Sequence, residues 1–151
     1  MGIQQKELVF CNTVSAAVSS GATALVGSTV NMGANRDFYD TARTSNAGKS
    51  GKLWLTILCE TIFATSGSPV VTIALTTKSA ATVSSGGTNI VAISGISQTL
   101  AAGTYVYQGP VPAHAAVDID QYLGITISAA SGKVSSGALT AFLSLDADLN
   151  V

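Results

Sequence analysis

Apolar residues recur at every second position along much of this chain, and no comparable stretch repeats every third or fourth. A period of two is the strand's own, because successive side chains on a strand point to opposite faces. Leu53, Leu55, Ile57 and Cys59 share one face, with Trp54 and Leu58 on the other, so this strand is expected to be buried on both sides. Val71, Ile73 and Leu75 alternate with Thr72, Ala74 and Thr76. Leu123, Ile125 and Ile127 alternate with Gly124, Thr126 and Ser128, and Leu139, Ala141, Leu143 and Leu145 with Thr140, Phe142 and Ser144. Shorter candidates are 6–10, 23–26, 89–93 and 104–107. These runs are rich in Thr, Val and Ile, which suit a pleated, half-buried surface. The expectation is an all-β chain of about eight antiparallel strands, a jelly roll or β-sandwich, in one domain over 1–151.

Turn chemistry separates the runs. Ser66-Gly67-Ser68-Pro69, Ala102-Gly103, Gly109-Pro110 and Ser131-Gly132 are all breaks of this kind. The tetrapeptide Val-Ser-Ser-Gly occurs at 18–21, 83–86 and 134–137. Its unequal spacing excludes a solenoid. It reads as one turn used three times, with serines solvating the bend and Gly taking positive φ.

Charge narrows the partners. Only 10% of residues are charged and the formal net charge is −1. The basic residues are scattered, without interleaved aromatics, so neither nucleic acid nor an anionic membrane is an expected partner. Mean hydropathy is positive at +0.45. Even so, no apolar run reaches the roughly 18 residues of a membrane-spanning helix. The opening MGIQQKELVF has no apolar core behind a basic head, so a secretory signal is not expected. Lys6 stands where a myristoylation motif calls for Ser or Thr. A chain with so few charges and 47% hydrophobic residues is expected to hide part of its surface in an assembly.

Ala47-Gly48-Lys49-Ser50 resembles the end of a phosphate-binding loop. That loop needs an earlier Gly where Arg43 stands, and a strand before it and a helix after it. Here a small polar stretch comes first and a strand-like run follows, so the segment is read as a solvated loop whose lysines guard a strand. It closes the one long break in the alternation, 31–51, which reads as a surface connection. Arg36, Phe38, Tyr39 and Arg43 in this connection have the composition of an interface anchor, since aromatics and Arg are enriched there; the other reading is a loop folded over the sandwich end with Phe38 in the core. With Leu8, Val9 and Phe10 of the opening strand, they are the candidate contact residues; an opening strand can add to a neighbour's sheet edge.

Catalytic and metal-binding readings are weak. His114 is the single histidine, it stands near Pro112, and no Gly-x-Ser-x-Gly elbow accompanies it. Asp118 with Asp120, and Asp146 with Asp148, are same-face carboxylate pairs, but calcium needs six to eight oxygens and neither pair has acidic support nearby. No catalytic residue, metal site or cofactor is therefore assigned. Cys59 continues a buried face, whereas Cys11 follows an apolar run; whether the two pair is left open.

Several stretches, in order, resemble the cementing (decoration) proteins of tailed-bacteriophage capsids, of the small jelly-roll type. They are an opening strand ending in Phe10, the small-polar Ser20-Gly21-Ala22-Thr23, and the strands at 52–59 and 70–77. Gly103-Thr104-Tyr105-Val106-Tyr107 then leads to Val111-Pro112. Gln121-Tyr122-Leu123-Gly124-Ile125-Thr126-Ile127 and the strand from Gly137 to Asp146 close the chain. Proteins of this kind often carry a polar or basic residue after the Tyr-Leu pair, where this chain has Gly124. The resemblance implies a structural virion protein on the outer capsid surface, without catalytic residues. Its implied partners are the major capsid protein and itself, as a homodimer in preference to a trimer. The competing reading is a carbohydrate-binding β-sandwich or a fibre or adhesin subunit, with Tyr105 and Tyr107 on one strand face as a sugar platform.

Overall fold

In the computed structural model, described here for residues 8–31, 35–36, 42–43, 54–96, 100–111 and 120–144, strands make up 71% of those residues. In chain order they are β1 (Val9–Ser15), β2 (Thr23–Asn31), β3 (Asn35–Arg36), β4 (Ala42–Arg43), β5 (Trp54–Ser66), β6 (Val71–Lys78), β7 (Thr88–Ile96), β8 (Thr104–Pro110), β9 (Tyr122–Ala129) and β10 (Lys133–Ser144). None of the described residues is α-helical.

Eight of these strands form two four-stranded antiparallel sheets. Sheet A has the order β1-β10-β5-β8 and sheet B the order β2-β9-β6-β7. The pairings nest: β6 with β7, β5 with β8, β2 with β9 and β1 with β10. The pairs β1/β2, β5/β6, β7/β8 and β9/β10 therefore take the same rank in opposite sheets, as when one long hairpin is wound over itself. That is the jelly-roll form of the β-sandwich, and the expected fold class holds.

The period-two pattern explains the core. Leu55, Ile57 and Cys59 from β5 and Leu139, Ala141 and Leu143 from β10 face Val71, Ile73 and Leu75 from β6 and Leu123, Ile125 and Ile127 from β9; all twelve are buried. Burying a side chain of this size contributes about 1.5–3 kcal/mol for each Leu, Ile or Val. The Cys59 thiol is the one ionisable side chain in this set. Most strands run longer than the alternation suggests. β5 continues to Ser66 because Phe63 again turns fully inward, after register shifts against β10. β2 continues to Asn31 past Gly27, whose φ of 80° carries the chain through an irregularity between Val26 and Val30.

Two expectations need correction. The three Val-Ser-Ser-Gly copies are not one repeated turn. The copies at 18–21 and 83–86 do end in bends, with Gly21 and Gly86 at φ 70° and 73°. The copy at 134–137 lies inside β10 and pairs with β5. Its Val134 exchanges backbone hydrogen bonds with Val18 of the first copy, at 3.0 and 2.9 Å. The common feature is the valine, buried in all three. The 31–51 connection is not wholly without strand either: β3 and β4 form a two-stranded antiparallel ribbon, Asn35 opposite Arg43 and Arg36 opposite Ala42.

The connection between β6 and β7 folds back over the outside of sheet B. Val83 sits above Gly124 of β9, where an added Cβ would come within 2.5 Å of its Cγ2. Lys78 fixes this loop: its Nζ donates to the carbonyl of Thr82 at 3.3 Å, to Thr82 Oγ1 and to the carbonyl of Ser85. The loop explains why Ala74 and Thr76 are buried although they point away from the core. It also gives Gly124 a packing role, since a side chain there would meet Val83.

Candidate functional site

Among the described residues, the outer face of sheet A carries an unusual surface. Its rows follow from the strand register. One row runs Val9, Phe142, Thr56 and Gln108 across β1, β10, β5 and β8. The next runs Thr140, Leu58 and Tyr105, and a third Ser144, Trp54 and Pro110. No ionisable acid or base stands in these rows except the Tyr105 phenol. Val9, Phe142, Leu58 and Trp54 are half-buried, and Tyr105 is 58% exposed. The outer face of an ordinary antiparallel sheet is polar. Three uncharged rows with two large aromatics and a tyrosine at the rim are instead suited to contact with another protein surface.

The expectation that the Leu53–Cys59 strand is buried on both sides therefore holds only for its inner face and for Thr56. Trp54 and Leu58 share a face, as the alternation predicts, but that face is half-buried and not core. The signal for a surface was present in β10, where Phe142 alternates with the polar Thr140 and Ser144 on the side away from Leu139 and Leu143.

The opening strand contributes one residue to this face. Val9 is on it, Leu8 packs half-buried against the core, and Phe10 is 2% exposed inside the core. The ring of Phe10 is thus engaged within the chain and does not offer itself to a partner. β1 is an edge strand of sheet A, but at Phe10 and Cys11 it lies tight against Gly27 of β2, where a Cβ would approach the Phe10 carbonyl oxygen within 2.2 Å. Arg36 and Arg43 occupy the β3–β4 ribbon at staggered register positions. Phe38 and Tyr39 lie outside the described residues, as do His114, Asp118, Asp146 and Asp148. Asp120 is exposed, and its backbone N–H donates to Thr77 Oγ1 at 2.8 Å.

Tyr105 and Tyr107 do not share a face. A register shift lets β5 residues Ile57 and Leu58 oppose Tyr107 and Tyr105 respectively, so Val106 is the extra residue of a bulge. The bulge inverts the parity. Tyr105 points outward beside Leu58, and Tyr107 packs on the core with its hydroxyl donating to the Pro110 carbonyl at 2.9 Å. Gly109 makes room beneath that ring.

The two thiols are free and buried, on opposite flanks of β10: Cys11 opposite Ala141, Cys59 opposite Leu139. Two strand spacings put them about 10 Å apart, beyond the roughly 7 Å limit for a disulfide. Burial pushes the Cys11 thiol up to about 11, and burial followed by the Glu60 charge also raises Cys59. Both are poor nucleophiles and poor metal ligands in this state. Among the described residues no three His, Cys, Asp or Glu side chains converge as a metal site, and no helix is long and apolar enough to cross a membrane.

Compared with known proteins, the chain matches no family and no curated relative.

Proposed function

We propose that this protein is a structural virion component that binds the outer surface of a bacteriophage capsid and stabilises contacts between major capsid subunits, acting as a homo-oligomer and not as an enzyme. The observation that carries this reading is the three uncharged rows on the outer face of sheet A, with Trp54, Leu58 and Phe142 in them and Tyr105 at the rim. The jelly-roll strand order is the fold that the resembled cementing proteins have, and it supports the same reading. Mechanically, a rigid sandwich needs only one adhesive face to act as a cement. A stable contact of this kind buries about 800 Å² on each partner. Laid across a boundary between two capsid subunits, it adds contact area that must be broken before those subunits separate.

The test is co-sedimentation of the purified protein with capsids of the parent phage from which it has been removed. Saturable binding is expected, together with a rise in the temperature at which the capsids rupture. Tyr105→Glu combined with Leu58→Glu should abolish binding while the strand signal in circular dichroism stays intact. Failure of the unaltered protein to sediment with capsids would refute the reading. The alternative of sugar stacking on a Tyr105–Tyr107 platform is disfavoured by the opposite orientation of the two rings.

A further inference from the structure

On the other side of the sandwich, the loop at 83–87 and the outer face of sheet B enclose an open hollow of about 190 Å³. We propose that this hollow binds a neutral polyhydroxylated ligand the size of one hexose. The inference goes beyond the capsid reading and does not depend on it. The hollow lies on sheet B, so it stays open when the outer face of sheet A is covered.

The chemistry of the lining selects the ligand class. Thr23, Thr72 and Ser128 supply hydroxyls from one row across β2, β6 and β9, Thr126 with Ala74 floors the next, and Thr76 follows on the row beyond. Asn89 and the backbone of Gly86 and Gly87 form the wall beneath Val83. No charged side chain lines the hollow, so neither an anion nor a cation is the preferred occupant. No aromatic ring lines it either, so a flat stacked base is not.

The hydrogen bonds fix which groups are available. Thr76 Oγ1 donates to Asn89 Oδ1 at 2.9 Å. A hydroxyl has one proton, so the 2.7 Å contact between Thr76 and Thr126 must take its proton from Thr126. The chain therefore runs Thr126 to Thr76 to Asn89. It leaves both Nδ2 hydrogens of Asn89 as donors and the free lone pairs of Thr126 Oγ1 as acceptors. The hydroxyls of Thr23, Thr72 and Ser128 have no side-chain bond among the described residues and can turn to give or to accept. Ala74, Val83 and the threonine methyls add a small apolar surface. Fixed donors, fixed acceptors, rotatable hydroxyls and small apolar patches match a ring of secondary hydroxyls with C–H groups between them. A charged or purely apolar ligand would leave the fixed groups without partners.

The experiment is a titration of the full chain, uniformly labelled with nitrogen-15. The probes are the methyl glycosides of glucose, galactose and N-acetylglucosamine, and myo-inositol. Without charge or stacking the affinity should be weak, with a dissociation constant of about 1 mM or higher. Saturable shifts are expected for at least one probe, confined to the amides of Gly86, Gly87, Thr126 and Ser128. Thr72→Val with Asn89→Leu should weaken binding at least about tenfold. Thr23→Trp, at an exposed position on the rim, should block the hollow independently, so loss of binding does not rest on one variant's folding. Three results would overturn the proposal: shifts that never saturate with any probe, saturable binding unchanged in both variants, or binding of an acetylated extended peptide but of no sugar.

Discussion

Gly137 lies directly under the ring of Phe63: a Cβ on the glycine would be 2.2 Å from Phe63 Cδ1 and 2.7 Å from Cε1. Phe63 is fully buried and Gly137 has φ 138°. The register between β5 and β10 shifts on both sides of this point, and the ring occupies the space so made. Gly137→Ala must therefore displace a core aromatic as well as strain the backbone, and the expected loss is about 2–4 kcal/mol. Gly21→Ala is the control: φ is 70° but nothing lies within 4 Å of the added methyl, so only the backbone cost of about 1–2 kcal/mol applies. Urea denaturation of the two variants separates the terms. Equal losses would show that the ring contact is not the cause.

The core was legible in the sequence because its strands alternate without interruption: Leu123, Ile125 and Ile127 face inward, as do Val71, Ile73 and Leu75. What was not legible depends on single inserted residues and on distant partners. Nothing in Tyr105-Val106-Tyr107 announces that Val106 is bulged, yet that one residue sends the two tyrosines to opposite faces. The tetrapeptide at 134–137 has the same letters as two genuine bends and is held within a strand by β5 and by Val18. The outer face of sheet A was hidden for a similar reason. Trp54, Leu58 and Phe142 are apolar residues on the solvent side, and only the strand order brings them together. The hydroxyl hollow needs the 83–87 loop to fold over sheet B, which no local pattern encodes.

The raised Cys11 thiol predicts a stability that falls in alkali. An unfolded thiol titrates near 8.5 to 9 and the folded one near 11, because burial penalises the thiolate. Between those values the unfolded chain has lost a proton that the native chain keeps, so stability falls as pH rises. The slope reaches about 1.4 kcal/mol per pH unit, and below about pH 8 this group contributes no slope. Cys59 acts in the same direction. Urea midpoints from neutral pH to about pH 10 should therefore fall more steeply for the unaltered protein than for Cys11→Ala. Parallel slopes would exclude the buried thiol as the cause.

Lys78 sets the position of the 79–87 loop through the Thr82 and Ser85 carbonyls and Thr82 Oγ1. Its side chain is half-exposed, so these bonds compete with water, and Lys78→Met should cost only about 1 kcal/mol in global stability. The local effect should be larger. Amide exchange at Ser85 and Gly86 is expected to accelerate roughly tenfold, while exchange in β9 stays unchanged. Unaltered exchange in the loop would mean that Val83 packing over Gly124 holds it without the lysine.

The outer face of sheet A makes the final prediction, which concerns salt. With no capsid present, two copies can cover this face in each other, and such a contact through Trp54, Leu58, Phe142 and Tyr105 contains no ion pair among those residues for salt to screen. Raising ionic strength from 0.1 to 1 M shortens the screening length from about 10 to about 3 Å and would dissolve an electrostatic dimer. Here the mass by light scattering should stay that of the oligomer in 1 M sodium chloride. Sulfate, which strengthens apolar burial, should tighten it. Tyr105 is the most exposed of the four, so Tyr105→Glu can be made without opening the core. It should weaken self-association by at least about tenfold, as expected for an aromatic contact at a protein interface. A monomeric mass at 0.1 M salt would refute self-association, and dissociation by 1 M sodium chloride would locate the contact on charged residues instead of this face.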